Sequence, residues 1–168
     1  MTNENQQYKK LLQTTVRQVF DSELSALGFQ SSGDSSPYDF GFKLRYLKGG
    51  RFVEFSTSLF DTDLPYPFDV SISKNLLLLE RPVPIGFVQQ FKTGASVNIP
   101  ELCADRWALG QFLEPPQLME LMSTLKRDLF SYCHGFLNGT DKEFSKIYRA
   151  FKQYEKRTRW HSRSKPAA

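Results

Sequence analysis

Wound at the helical period, residues 140–159 separate into two faces, and no other stretch of the chain is patterned as sharply. Phe144, Ile147, Tyr148, Phe151 and Tyr154 recur at spacings of three and four and form one apolar stripe. Lys142, Lys146, Arg149, Lys152, Lys156 and Arg157 fall on the opposite arc. A helix divided in this way must close a hydrophobic core with one side and keep the other in water, which commits the chain to a layered, packed fold. Thr140 stands at the N-cap with Glu143 three residues on, the spacing of a capping box. The pattern holds to about Arg157. A longer helix would project Trp160 from the polar face, so the helix is expected to fray before that residue. Residues 161–168 are then expected to form a disordered basic tail.

The other elements follow from the same reading of period. Tyr8, Leu11, Leu12, Val16, Val19, Phe20, Leu24 and Leu27 predict a first helix over about Asn5–Leu27. Gly28 sits where a left-handed residue stops a helix, and Phe29 can fold back on the last turn. The period then changes to two. Phe40, Phe42, Leu44 and Tyr46 alternate with Gly41, Lys43 and Arg45, the pattern of a strand with one wet face. Lys48-Gly49-Gly50 makes a hairpin turn, because two glycines accept the positive φ it requires. The return strand runs over about Arg51–Phe60, and Phe68, Val70 and Ile72 mark a third strand, completing an antiparallel meander.

The middle of the chain is expected to add a second hairpin from Ile85, Phe87, Gln89 and Phe91, a turn at Lys92-Thr93-Gly94, and Ser96–Ile99. Pro82 and Pro84 restrict its first strand to an edge or a late start. Glu101 to Gly110 is read as a short helix burying Leu102 and Trp107. From Pro115-Pro116, Leu118, Leu121, Met122, Leu125, Leu129, Tyr132, Cys133 and Phe136 predict one long helix to about Leu137, stopped by Asn138-Gly139. The expected fold class is therefore α+β: a mostly antiparallel sheet, a meander, packed against a long N-terminal helix and two C-terminal helices, in a single domain over residues 1–160.

Composition narrows the function classes. A chain of 168 residues with 40% hydrophobic and 24% charged residues belongs with globular domains, and 15 Phe with 7 Tyr point to a thick aromatic core. Two cysteines, Cys103 and Cys133, make no disulfide framework and are read as reduced thiols of a cytoplasmic protein. Residues 1–8 lack the basic-then-apolar order of a secretory signal, and no apolar run reaches the ~18 residues that cross a bilayer. Asn138-Gly139-Thr140 matches a glycosylation acceptor but reads better as a helix stop followed by a cap.

Formal charge is uneven. From Thr140 onward there are nine Lys/Arg against three Asp/Glu, a net +6, and the first 139 residues carry 13 against 15, a net −2. A slightly acidic body thus ends in a basic helix. That polarity suits an acidic protein surface or a phosphate backbone.

Catalytic signatures are missing: there is no phosphate-binding Gly-rich loop, dinucleotide fingerprint, nucleophile elbow or His-Glu-x-x-His. Only His134 and His161 supply imidazoles. Cys133 and His134 point about 100° apart on a helix, so they cannot activate each other, although Cys103 could approach His134 in space. Asp61, Asp63 and Asp69 form the densest carboxylate group. Their spacing lacks the glycine and distal glutamate of a calcium loop, and aspartates beside prolines usually cap turns. No metal and no cofactor is assigned. With Tyr66 these aspartates outline a possible recognition loop between two strands.

Over six residues, Leu24-Ser-Ala-Leu27-Gly28-Phe29, the end of the first helix resembles that of small bacterial domains, some of them toxin-immunity-like. Any amphipathic helix with a glycine stop produces the same six, and no family membership is drawn from them. The function expected is a non-enzymatic intracellular binding protein, immunity-like or adaptor-like, that contacts another protein and carries no membrane segment. Its binding residues are Lys146, Arg149, Lys152, Lys156, Arg157 and Trp160. The alternatives are nucleic-acid binding through the same residues, with Trp160 stacking on a base, and an enzyme of an unrecognised class.

Overall fold

Gly28 adopts φ +86°, and the Phe29 amide donates to the Leu24 carbonyl at 2.9 Å, so the first helix ends in a Schellman turn at the predicted glycine. The computed structural model describes residues 3–33, 41–58, 66–74, 82–94, 108–109 and 114–163. Helix α1 spans Asn3–Ala26 and is followed by the short strand β1, Gln30–Ser32. Strands β2 (Gly41–Lys48), β3 (Arg51–Ser58) and β4 (Tyr66–Ser73) form the antiparallel meander, and β5 (Val83–Pro84) closes its edge. The order across the sheet is β1-β2-β3-β4-β5. Lys48 pairs with Arg51 across the two-glycine turn, where Gly49 and Gly50 take φ +51° and +77°.

The register puts Leu44, Phe55 and Val70 in one row and Tyr46, Val53, Ile72 and Val83 in the next. All seven are buried, and they form a floor on which α1 lies over β2, and a second helix, Ile85–Thr93, over β4 and β5. Phe20 of α1 meets Phe55 with ring centroids 4.5 Å apart, and Phe55 meets Tyr46 edge-on at 5.7 Å. The opposite face is drier than alternation predicts. Phe52, Glu54, Ser71 and Ser73 are buried there. Glu54 accepts from Arg45 Nε at 2.5 Å and lies 3.5 Å from Lys43 Nζ, and the Arg45 guanidinium rests over Phe52. On the expected wet face of β2, the Lys43 and Arg45 side chains are thus only 33% and 22% exposed.

The middle segment departs from expectation. Residues 85–93 form helix α2 (Ile85–Thr93), not the first arm of a hairpin. Ile85 and Val88 share one helical face three residues apart, with Phe87 beside them, and all three are buried; the two-residue spacing of Ile85, Phe87, Gln89 and Phe91 was coincidental. Pro84 leaves β5 in an extended conformation at the helix start, and Gly94, at φ +72°, ends it. Ser96–Ile99 and most of Glu101–Gly110 lie outside the described residues. Ala108–Leu109 is a short strand, β6, paired with Tyr66–Pro67 of β4, so this end of the expected short helix is extended.

The second long helix is also interrupted. Helix α3 spans Pro115–Tyr132 and starts in a reciprocal capping box, the Glu114 amide donating to Gln117 Oε1 at 3.0 Å. Cys133, at φ −104° and ψ 13°, breaks the run, and His134–Asn138 forms a separate short helix α4. The apolar stripe continues across the break, since Leu129, Cys133, Phe136 and Leu137 are all buried, which is why periodicity alone reads one helix. Gly139 (φ +96°) ends α4, with the Thr140 amide donating to the Gly135 carbonyl at 2.7 Å. Asn138 Nδ2 donates to the His134 carbonyl at 3.0 Å, so Asn138-Gly139 is a helix stop.

The last helix, α5, spans Asp141–Arg163. It does not fray before Trp160, and the first three residues of the expected tail, 161–163, are helical. Its apolar stripe packs on α2 and α4: Phe151 and Tyr154 meet Phe87 at 5.1 and 5.9 Å, and Phe144 meets Phe136 at 4.9 Å. Helix α3 bridges this group to α1.

Candidate functional site

The back of α5 is the surface the sequence singled out. Phe144, Ile147 and Phe151 are buried with Tyr148 and Tyr154 packed beside them, so the helix cannot rotate without opening the core. That fixes the other face outward. Lys142, Lys146, Arg149, Gln153, Lys156 and Arg157 are exposed on it. At about 100° per residue these six positions share one arc, and the arc is about 22 Å long from residue 142 to 157 at 1.5 Å per residue. Among the described residues no carboxylate lies within ion-pair distance of Lys146, Arg149, Lys156 or Arg157. The carboxylate of Glu143, on the flank of the helix, is paired with Lys92 of α2.

Lys152 behaves differently from Lys146, Arg149, Lys156 and Arg157. Its side chain is half-buried, its Nζ lies 3.3 Å from Glu155 Oε2, and it rests 5.3 Å from the centre of the Tyr148 ring. Glu155 is 7% exposed. A buried carboxylate needs compensating partners, and Lys152 is one of them, from one turn earlier. Sequence pattern missed this because a lysine beside an apolar stripe and a lysine within a polar arc look alike until the acid between them is known to be buried. The sixth residue, Trp160, belongs to the helix. Continued winding brings its backbone position to the middle of the arc, level with Lys142 and between Lys146 and Arg149 in angle.

The possible recognition loop is only partly within the described residues. Asp61 and Asp63 lie outside them. Tyr66 and Asp69 are strand residues of β4, Tyr66 facing Leu109 of β6 and Asp69 facing Ser56 of β3 in register, so these two are not loop residues. Pro65 and Pro67 give this stretch the composition of a turn, whereas sheet pairing extends the strand through Pro67.

The other groups weighed for chemistry do not converge. Cys133 is buried, and burial pushes its thiol up to about 12, far from the range of a nucleophile. His134, next to it, is exposed. Cys103 lies outside the described residues. Among the described residues no three His, Cys, Asp or Glu side chains group as a metal site, and no helix is long and apolar enough to cross a membrane. No protein family, curated protein or solved structure matches the chain.

Proposed function

We propose that this protein is a non-enzymatic, cytoplasmic binding protein that holds an acidic partner protein, as an immunity or adaptor protein does, against the exposed arc of α5. One observation carries the reading: Lys146, Arg149, Lys156 and Arg157 stand side by side in water on a helix whose opposite face is locked into the core. The backbone that presents these cations is already ordered, so docking costs the freedom of side chains only, and complementary charge is turned into encounter rate and register. The net +6 of the chain from Thr140 onward gives the same surface a long-range pull on acidic molecules.

The test compares the intact chain with a K146Q/R149Q/K156Q/R157Q variant as bait. An acidic protein retained by the intact chain should be released by about 0.3 M salt, where the screening length falls to several Å, and should not be retained by the variant. Equal retention by both baits would remove α5 from the interface.

A second reading is favoured by a separate observation, the continuation of α5 through residue 160, which brings a tryptophan position onto the cationic arc. Such a face can follow a phosphate backbone and stack a base. Nuclease-sensitive retention, with affinity falling steeply and linearly in log salt, would select nucleic acid over protein.

A further inference from the structure

The arc is not uniform, and the reason is Glu155. Its carboxylate is one of few buried charges in the described residues, and it sits at the edge of the stripe that joins α5 to the core. Lys152 is a cation it holds, at 3.3 Å, and the Tyr148 ring supports the same ammonium from the previous turn. Moving Lys152 out to meet a partner would leave that acid without the lysine, so the docked state gains little from this side chain. Resting on the reading of α5 as a docking surface, we infer that Glu155 withholds Lys152 from the partner and divides the arc into two cationic patches, Lys142/Lys146/Arg149 and Lys156/Arg157.

The division has a definite scale. Arg149 and Lys156 are seven residues apart, about 10 Å along the axis, and the outward position between them is the neutral Gln153. The partner that fits is an acidic protein segment with carboxylates in two groups at that spacing. A phosphate backbone, with a charge about every 3.4 Å of axis along each strand, would leave the charges over Gln153 unmatched.

The experiment uses the full chain with poly-L-glutamate as the carboxylate probe, affinity being measured from low to moderate salt. Arg149→Gln and Lys156→Gln should each weaken binding several-fold at low salt and flatten its salt dependence. Lys152→Gln should weaken binding clearly less than either. Glu155→Gln, which keeps the shape of the side chain and removes its charge, should release Lys152 and tighten binding with a steeper salt dependence. Far-UV circular dichroism and the thermal midpoint identify any variant that loses the fold, and Glu155→Gln still decides the matter if Lys152→Gln is one of them. A Lys152→Gln chain weakened as much as Arg149→Gln, or a Glu155→Gln chain that binds no tighter, overturns the division while leaving the docking surface intact. No affinity of the parent chain for the probe overturns both.

Discussion

The Tyr46 hydroxyl donates a 2.6 Å hydrogen bond to Asp21 Oδ1, tying the floor of the sheet to the helix that lies across it. Tyr46 is fully buried on β2, and Asp21 faces it from the last turns of α1. Burial first, then the hydrogen bond and charge of Asp21, raise the hydroxyl well above the ordinary tyrosine value. Tyr46→Phe removes this bond and leaves the acid short of a donor. Unfolding by urea should show a loss of about 1–3 kcal/mol with an unchanged m-value.

The same pair has a pH signature. A group that holds its proton more tightly when folded contributes stability that is complete below the unfolded value and is lost as pH rises. With Tyr46 raised from 10.0, stability should fall above about pH 10, and Tyr46→Phe should show a shallower fall over that range. Identical alkaline slopes for the two proteins would contradict this assignment.

Cys133 should be chemically silent while the protein is folded. Its thiol is buried and pushed up to about 12, and the thiolate is the reactive form. In a Cys103→Ser background, iodoacetamide at pH 8 should leave Cys133 unmodified in buffer and alkylate it in denaturant. Alkylation in buffer at the rate of an unfolded thiol would show that the α3–α4 junction opens.

Gly139 answers to two constraints at once. Its φ of +96° disfavours any side chain, and a Cβ there would lie 2.9 Å from Arg51 Nη1, which donates to the Phe136 carbonyl at 3.0 Å. Gly139→Ala should therefore destabilise by at least about 1 kcal/mol, more than the left-handed strain alone. Gly33→Ala, with nothing near the added carbon, is the control and should differ little from the parent.

Phe87 tests the role of α2. Its ring lies against Phe151 and Tyr154, so α2 is the surface on which α5 rests. Phe87→Ala should cost about 3–5 kcal/mol in thermal or urea unfolding. A cost under about 1 kcal/mol would mean that α5 is held by α4 alone.

The two-faced helix, the glycine stop after Leu27, the two-glycine hairpin and the meander could all be read from residue order. Each is a local device: a 3.6 or 2 period, or a glycine at positive φ, whose signal survives without knowledge of what packs against it. The outward direction of Lys146, Arg149, Lys156 and Arg157 was legible for the same reason, because the stripe opposite them demanded burial.

Tertiary structure decided the rest. Ile85 to Phe91 alternate well enough for a strand, and only packing of Phe87 against α5 selects the helix. The break at Cys133 is invisible to periodicity because the stripe passes through it unbroken. The withdrawal of Lys152 towards Glu155 depends on the burial of that acid, a property of where α5 meets the core and not of the order of its residues. Period and turn chemistry are set by neighbours in the chain, so the sequence alone determined α1, the meander and the two faces of α5. Which faces meet, and which charges are drawn inward when they do, is set by contacts between residues far apart along it, and those exist only once the chain is folded.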